Sequence, residues 1–343
     1  MKFTPGELYV IGEIDLRTNQ KTNYYKVGIV REKKERTSAE RLKDHQTGNP
    51  RKLFVHDFIK CRVVEKVETV FHNLMAPKGV RGEWLELDES ELAQAIALIQ
   101  RLNEEVNEHY DFFEQAESLK KQESSEDVLS VDEKILGWHK SYAAADVRSK
   151  AAGKVLKFIS DALKEAVSSG VELNQIVEIQ LKDGRESFNK ESFREQYPDL
   201  YEKYVALEET SKQRFTATIP KEVKDSLNEI DPELFNTLEV IEGFIDDVKS
   251  SKRTYQELHG QYLRVLSIEA DADWIKTIAE ARIKSACAAA GGIEGVCTWS
   301  RSIETKQAFD EKLFREENPE LADQFTTIGA SVQAVIVNPK RGY

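Results

Sequence analysis

This sequence of 343 residues lacks several patterns, and each absence excludes a class of protein. Cysteine is scarce: Cys61, Cys287 and Cys297 form no CxxC pair, which argues against a disulfide framework and against a zinc site. No apolar run approaches the length of a transmembrane helix. The first residues lead into a strand pattern without the apolar region of a signal peptide. We therefore expect a cytoplasmic protein that makes no contact with a membrane.

A net positive charge, which is common in proteins that bind nucleic acid, is also missing. The formal net charge is −12, but it is unevenly distributed. Residues 1–88 hold 17 Lys and Arg against 13 Asp and Glu, whereas the remainder holds 32 against 48. A mildly basic head on an acidic body predicts that contact with DNA, or with RNA, is confined to the head and is sensitive to salt. The acidic body is a candidate surface for a protein partner.

The first 88 residues have the pattern of a small α/β unit. Two β-rich runs, at 7–14 and 23–30, flank a polar turn and predict a hairpin. Ser38 is a candidate cap for a short helix that follows. That helix, a third strand, a one-sided apolar helix and a short closing strand are expected at 39–46, 53–62, 64–74 and 82–87.

The rest of the chain predicts a mostly helical α+β body. Apolar residues recur every three or four positions within 89–119, which predicts a long helix that packs on the head or forms a homodimer. Polar residues at 120–131 predict a linker. The segment from Phe188 to Tyr204 then recurs at a constant offset of 121 residues. We interpret this as two related α+β modules packed side by side, at 132–221 and 222–343.

Two residue pairs in the head point to phosphodiester chemistry. Arg41 and His45 lie four residues apart, as do Glu68 and His72, so each pair shares one face of its helix. Cleavage of a phosphodiester needs a neutralised phosphate, an activated water and a stabilised leaving oxygen. An arginine and a carboxylate that binds a divalent metal supply the charge, and a tyrosine or histidine transfers the proton.

These residues also have ordinary structural interpretations. Arg41 and His45 fit a solvated helix surface, and Tyr9 fits a strand aromatic that fills the core. Glu65 lies three residues before Glu68, so either glutamate is a candidate metal ligand. The order and spacing of the motifs, rather than any one residue, favour the functional interpretation.

The motifs resemble those of the GIY-YIG nuclease superfamily, in the phage-type branch whose second motif is K-[IV]-G. The resemblance covers about 7–87 and rests on Leu8-Tyr9-Val10-Ile11, Lys26-Val27-Gly28, Arg41 with His45, the Gly48-Asn49-Pro50 turn, Glu68 with His72, and Gly82-Glu83-Trp84. It implies a metal-dependent endonuclease with a small three-stranded sheet flanked by helices. Lys26 stands where the superfamily has its second tyrosine, and Tyr25 is one residue away.

The resemblance implies a role for each matching residue. Glu68 is the expected ligand of Mg²⁺ or Mn²⁺. The expected catalytic residues are Tyr9, Tyr25, Lys26, Arg41 and His45. The expected nucleic-acid-binding residues are Arg31, Lys43, Asn49, Arg51, Lys52 and His72.

The repeated segments resemble the tail segment of phage recombination exonucleases of the YqaJ kind. Thr298-Trp299 and the run from Phe309 to Leu321 carry this second resemblance. It implies a phage or prophage setting and a DNA-processing partner.

Three functions are compatible with the sequence. The first, which we favour, is a divalent-metal-dependent endonuclease that acts on DNA. The second is a nucleic-acid-binding head that does not cut, because Lys26 replaces the tyrosine. The third is a phage regulatory or counter-defence protein whose acidic body acts on a protein partner.

Overall fold

The computed structural model describes residues 2–32, 37–236 and 252–342, with side chains described from 255 onward in the last range. It is a mixed α+β protein with an antiparallel sheet at the N-terminus and a mostly helical body. Within these ranges, no helix has the length and apolar character needed to span a membrane. Residues 237–251, which belong to the second expected module, lie outside the described residues.

The N-terminal sheet is antiparallel and has the strand order β3-β1-β2-β5-β4. Its strands are β1 Gly6–Asp15, β2 Gln20–Arg31, β3 Lys52–Cys61, β4 Gly79–Arg81 and β5 Trp84–Glu86. The resemblance implied three strands, but two short strands extend the sheet beyond β2. Strand β5 falls within the closing strand expected at 82–87, whereas β4 was not expected. Strand β5 pairs only with residues 24–26 of β2. In the described structure, residues 27–31 of β2 consequently pair with β1 on one side and have no strand partner on the other side, which is a free sheet edge.

Helices cover both faces of this sheet, because successive side chains of a strand point to opposite sides. Helices α2 (Val64–Leu74) and α3 (Glu89–Leu119) pack on the face that buries Leu8 and Val10. Helix α1 (Ser38–Gln46) lies over the opposite face, where Tyr9 is buried.

Helix α1 begins one residue earlier than expected. Thr37, rather than Ser38, is its N-cap, and Thr37 and Glu40 form a capping box that satisfies two backbone N–H groups. The Ser38 hydroxyl instead donates to the Glu7 carboxylate of β1 at 2.7 Å. This hydrogen bond ties the start of α1 to the sheet.

One long helix joins the head to the body. The body contains α4 (Glu133–Ser168) and α9 (Lys252–Cys287), which pack extensively on each other. Helix α9 also packs on α2 and α3 of the head. Its Trp274 is buried in the core of the N-terminal sheet and donates from Nε1 to Glu105 at 2.6 Å. Its Ser267 hydroxyl donates to the Leu74 carbonyl at 2.8 Å.

Three antiparallel strand pairs complete the body, and each joins a strand before residue 221 to a strand after residue 290. They are β7 (Val177–Lys182) with β13 (Val332–Val337), β8 (Glu186–Phe188) with β12 (Thr326–Ile328), and β9 (Val205–Ala217) with β11 (Cys297–Phe309). Short strands β6 (Val128–Leu129) and β10 (Gly292–Ile293) extend the last pair. The short helices are α5 (Lys190–Gln196), α6 (Pro198–Lys203), α7 (Lys221–Asp225), α8 (Leu227–Ile230), α10 (Glu311–Glu317) and α11 (Pro319–Gln324).

Because each strand pair joins the two expected modules, segments 132–221 and 222–343 interleave instead of lying side by side. That they are copies of one module stays a prediction.

The aromatic residues of the two segments form one shared core. Backbone hydrogen bonds cross between them: the Asn189 N–H donates to the Phe325 carbonyl at 2.8 Å, and the Asp310 N–H donates to the Tyr204 carbonyl at 2.9 Å. The buried members of this aromatic core are Phe188, Phe193, Tyr204, Phe309, Phe314 and Phe325.

The expected linker at 120–131 is hydrogen-bonded to the body. The Ser124 N–H donates to the Arg301 carbonyl at 3.0 Å, and the Ser125 N–H donates to the Ala289 carbonyl at 2.8 Å. Strand β6 within this segment pairs with β10. The segment therefore closes the gap between α3 and α4 as an ordered part of the body.

The aromatic core predicts a large effect of truncation. Phe193 is fully buried, so Phe193→Ala should lower the free energy of unfolding by about 3–5 kcal/mol, which combines lost burial and a new cavity. Leu207→Ala, at a side chain that is 73% exposed, is the matched control and should change stability little. Denaturant titration of both variants measures the difference, and equal midpoints would contradict this packing.

Candidate functional site

The candidate site lies at the free edge of β2, and a glycine gives it room. Tyr9 of β1 pairs directly with Gly28 of β2. The Tyr9 ring crosses this glycine so closely that a Cβ at position 28 would lie 2.5 Å from the phenol oxygen. A side chain there would displace the tyrosine. Glycine is therefore required at position 28 because it leaves room for the Tyr9 ring.

The Tyr9 hydroxyl meets helix α1 at the site. It lies 3.0 Å from Nε2 of His45. Burial, with the charge of Glu83, raises the pKa of Tyr9 to about 12, and the nearby Arg41 partly opposes that shift. Burial, together with the charges of Lys26 and Arg41, lowers the pKa of His45. A protonated phenol and a neutral imidazole therefore face each other at neutral pH.

Lys26, at the position of the missing second tyrosine, is engaged by an acidic partner. Its ammonium pairs with the Glu83 carboxylate, and only 12% of the side chain is exposed. The Glu83 backbone carbonyl also accepts from the Val27 N–H at 3.1 Å. Burial raises the pKa of Glu83, but the hydrogen bond and charge of Lys26 outweigh it and hold this pKa below its ordinary value. Lys26 and Glu83 thus form a locally neutral pair.

Glu68 on α2 is the carboxylate without a partner. It is half-buried, and among the described residues it has no hydrogen-bond or ion-pair partner. Burial raises the pKa of Glu68 to about 7, and the negative charge of Glu83 adds to the shift. Glu65, the alternative ligand, instead pairs with Arg31. Of the two glutamates, Glu68 is the one whose charge a bound cation would compensate.

His72 closes the other side of the site as a neutral group. Its Nε2 donates to the Val27 carbonyl at 3.0 Å, and its Nδ1 is buried without a partner in the described part of the chain. Burial lowers the pKa of His72 to about 4, and the charge of Lys340 contributes. His72 is therefore a neutral imidazole whose Nδ1 is shielded from solvent.

The structure does not bring all of the expected site residues together. Tyr25 is buried on the opposite face of the sheet from Tyr9, with its ring 5.9 Å from that of His56. The regular alternation of β2 side chains causes this, and Tyr25 does not belong with the Tyr9 cluster.

The expected nucleic-acid-binding residues are dispersed over the head. Arg51 pairs with the buried Glu13, and the Asn49 side chain accepts from the Arg51 N–H at 2.9 Å. Lys43 and Lys52 are exposed. These exposed lysines remain available to a polyanion, whereas Arg51 has a structural partner.

Sequence reasoning missed two residues of the site. Glu83 had a weak signal, because it lies in the Gly-Glu-Trp segment that marks the end of the motif series. Lys340 had none: its contribution to the site depends on how the end of β13 meets the head. In the part of the chain that is described, no cluster of three or more His, Cys, Asp or Glu is arranged to hold a metal.

The contact between Tyr9 and Gly28 can be tested by adding one methyl group. Gly28→Ala should lower the free energy of unfolding by about 1–3 kcal/mol, because the new Cβ overlaps the phenol. Gly137→Ala is the control, since nothing lies within 4 Å of a Cβ at that helical position. Thermal denaturation compares the two, and a neutral Gly28→Ala would show that Tyr9 does not cross this glycine.

The raised pKa of Glu68 predicts that Glu68→Gln increases the free energy of unfolding, by an amount that depends on pH. Below pH 4.5 the carboxyl is protonated in both states. As pH rises to about 7 the unfolded state loses its proton first, so the wild type loses stability that the variant keeps. The variant should gain up to about 3 kcal/mol relative to wild type at high pH, reduced by residual solvent contact.

Melting curves in EDTA at about pH 5 and about pH 8 measure this gain. Glu104→Gln, at an exposed position of α3, is the control and should show no such trend. A gain that is the same at both pH values would mean that the environment of Glu68 does not favour the neutral carboxyl.

Comparison with known proteins found one family match, over the N-terminal part of the chain. Residues 6–100 match the family model of the T5orf172 domain. No curated protein and no solved structure matches the chain significantly. The T5orf172 domain is phage-associated and is reported in proteins related to GIY-YIG and HNH nucleases. The head of this chain is thus similar to a phage-type domain, which suggests a function related to nucleic acid.

Proposed function

We propose that the head is a divalent-metal-dependent endonuclease that hydrolyses phosphodiester bonds in DNA, in a protein of phage or prophage origin. One observation carries the proposal: the Tyr9 hydroxyl contacts His45, and the unpartnered carboxyl of Glu68 lies close enough for its charge to act on Tyr9. Arg41 is close enough to influence Tyr9. A proton acceptor, a positive charge and a carboxylate in one small volume are what hydrolysis of a phosphodiester requires.

The residues present fit a magnesium or manganese ion. Mg²⁺ is usually held by one or two carboxylates and retains several waters, so a cage of three protein ligands is not needed. Glu68 would hold the ion, and a cation there would relieve the repulsion between Glu68 and Glu83. When bound, the ion would supply positive charge to the phosphate and lower the pKa of coordinated water.

The remaining residues of the chain have separate tasks in this proposal. Arg41 binds the phosphate, for which its planar fork is suited. Tyr9 remains protonated, so its hydroxyl orients the attacking water and relays the water's proton to the neutral imidazole of His45. The water oxygen forms a bond to phosphorus, the bond to the leaving oxygen breaks, and the leaving oxygen takes a proton from solvent.

A second candidate function is nucleic-acid binding without cleavage. It is supported by the pairing of Lys26 with Glu83, which leaves Lys26 unavailable as a proton acceptor in place of the missing tyrosine. In our proposal this pair is structural and the proton passes to His45 instead. The two candidates differ in cleavage but not in binding, so one set of variants separates them.

The role of the body is a further part of the proposal. We assign the head to the branch whose second motif is K-[IV]-G, and we interpret the interleaved body as two copies of one module. The net negative charge of the body disfavours binding of DNA to the body and suits a basic protein partner, such as another DNA-processing protein.

The endonuclease proposal predicts that three head variants lose metal-dependent cleavage. Glu68→Gln should lower the rate by about 10²-fold or more, and Arg41→Ala by about 10²–10³-fold, because each removes charge stabilisation of the transition state. Tyr9→Phe should lower the rate by about 10²-fold through the lost proton relay. The assay follows supercoiled plasmid, linear duplex and branched DNA in Mg²⁺ or Mn²⁺, with EDTA abolishing cleavage.

Matched controls and binding data decide between the candidates. Arg17→Ala in the head and Glu104→Gln in α3 replace exposed residues, and both variants should cleave at the wild-type rate. Retained DNA binding by a wild-type protein that never cleaves would favour the binding function. If the wild type neither cleaves nor binds DNA, the function would be assigned to the acidic body instead.

A further inference from the structure

The segment that follows β13 connects the body to the edge of the head. On the body side, the Asn338 N–H donates to the Ile176 carbonyl and the Asn338 carbonyl accepts from Nε2 of His259, both at 2.7 Å. On the head side, the Arg341 N–H donates to the Gly79 carbonyl at 2.8 Å. The Arg341 guanidinium also pairs with Glu86 of β5. The residue between these attachments, Lys340, is therefore held in place from both directions.

The Lys340 side chain extends into the candidate site over a glycine. A Cβ at Gly79 would lie 3.3 Å from both Cγ and Cδ of Lys340, so the bare backbone at this position makes room for the lysine stem. Burial lowers the pKa of Lys340, while the carboxylates of Glu83 and Glu68 act in the opposite direction. The charge of Lys340 in turn contributes to the low pKa of His72. The charge of Lys340 therefore acts on Glu68, Glu83 and His72 together.

The Lys340 ammonium differs from that of Lys26 in one respect. Lys26 is paired with Glu83, whereas Lys340 has no side-chain hydrogen bond or ion pair within the described ranges. Its backbone N–H donates to the Asn338 side chain at 3.1 Å, which fixes the main chain but leaves the ammonium free. A half-buried ammonium without a partner is a ready contact for a phosphate oxygen.

We propose that Lys340 is a phosphate-binding residue of the head, supplied by the segment after β13, which contacts a non-bridging oxygen of the DNA backbone at Glu68 and His72. The inference rests on the proposed nuclease function and deepens it. The site of the head is incomplete without the body, since this lysine reaches it only through the fold of the body. Arg341 and Gly79 position the segment that carries it.

Binding measurements on the full-length protein test this contact without cleavage. The affinity of Lys340→Ala for a fluorescent DNA duplex in EDTA should fall by about five- to tenfold near 0.1 M salt. The slope of log K against log salt should become less negative by about 1, which corresponds to the loss of one phosphate contact. Lys340→Arg keeps the charge and should retain most of the affinity and the wild-type slope. Lys312→Ala, at a side chain that is 88% exposed and remote from the site, should leave both unchanged.

Cleavage measurements separate a phosphate contact from a structural role. If the wild type cleaves, Lys340→Ala should raise KM more than it lowers kcat, with a melting temperature close to that of wild type. If Lys340→Ala unfolds, Lys340→Gln, which keeps the length of the side chain closer to that of lysine, is measured in its place. An unchanged salt slope would overturn the inference. Faster cleavage by the variant would also overturn it, because the lysine would then be an inhibitory occupant of the cation site.

Failure of the nuclease proposal gives a different result from failure of this inference. A wild type that binds DNA but does not cleave it refutes the endonuclease, and the salt slope of Lys340→Ala still decides whether the lysine contacts phosphate. A wild type that cleaves, with a Lys340→Ala slope equal to its own, keeps the endonuclease and refutes the phosphate contact.

Discussion

The packing of helix α9 against both the head and the body is the interaction on which the rest of the architecture depends. Trp274 on this helix is buried in the core of the N-terminal sheet, and Leu258 and Val265 are buried against α4. One helix that removes apolar surface from water on two sides stabilises both units together. The acidic body is therefore a fixed neighbour of the sheet edge, and its last described strand is positioned to contribute Lys340 to that edge.

The charges at the sheet edge balance differently from those of the whole protein. The net charge of −12 opposes DNA at long range, but screening limits exposed charges to about 10 Å at 0.1 M salt. Within that distance, Lys26 is neutralised by Glu83. Arg41 acts on Tyr9 and pairs with Asp44, whereas Lys340 and the carboxyl of Glu68 act on each other. In the proposed function, an anionic ligand and a divalent cation would complement these charges together. The acidic surroundings favour substrates that reach the edge itself over nonspecific contact elsewhere.

The strand pairing of the body limits how the chain can be divided. Each of the three strand pairs joins segment 132–221 to segment 222–343, and the aromatic core takes side chains from both. Removing either segment would expose strand edges and aromatic surface, so the body acts as one unit. A protein partner that recognises its acidic surface would meet both segments.

The sequence by itself determined most elements of the head and the residues of its proposed site. Strand alternation and helical spacing are local, so they placed Tyr9, Arg41 and Glu68 on their elements and put Tyr25 on the opposite face from Lys26, while the motif resemblance singled these residues out. Strand β4 and the interleaving of the body depend on contacts between residues distant in sequence, which no local periodicity encodes. For the same reason, only the tertiary structure decided the partner of each charge. It paired Lys26 with Glu83, left Glu68 unpaired, and brought Lys340 to the site.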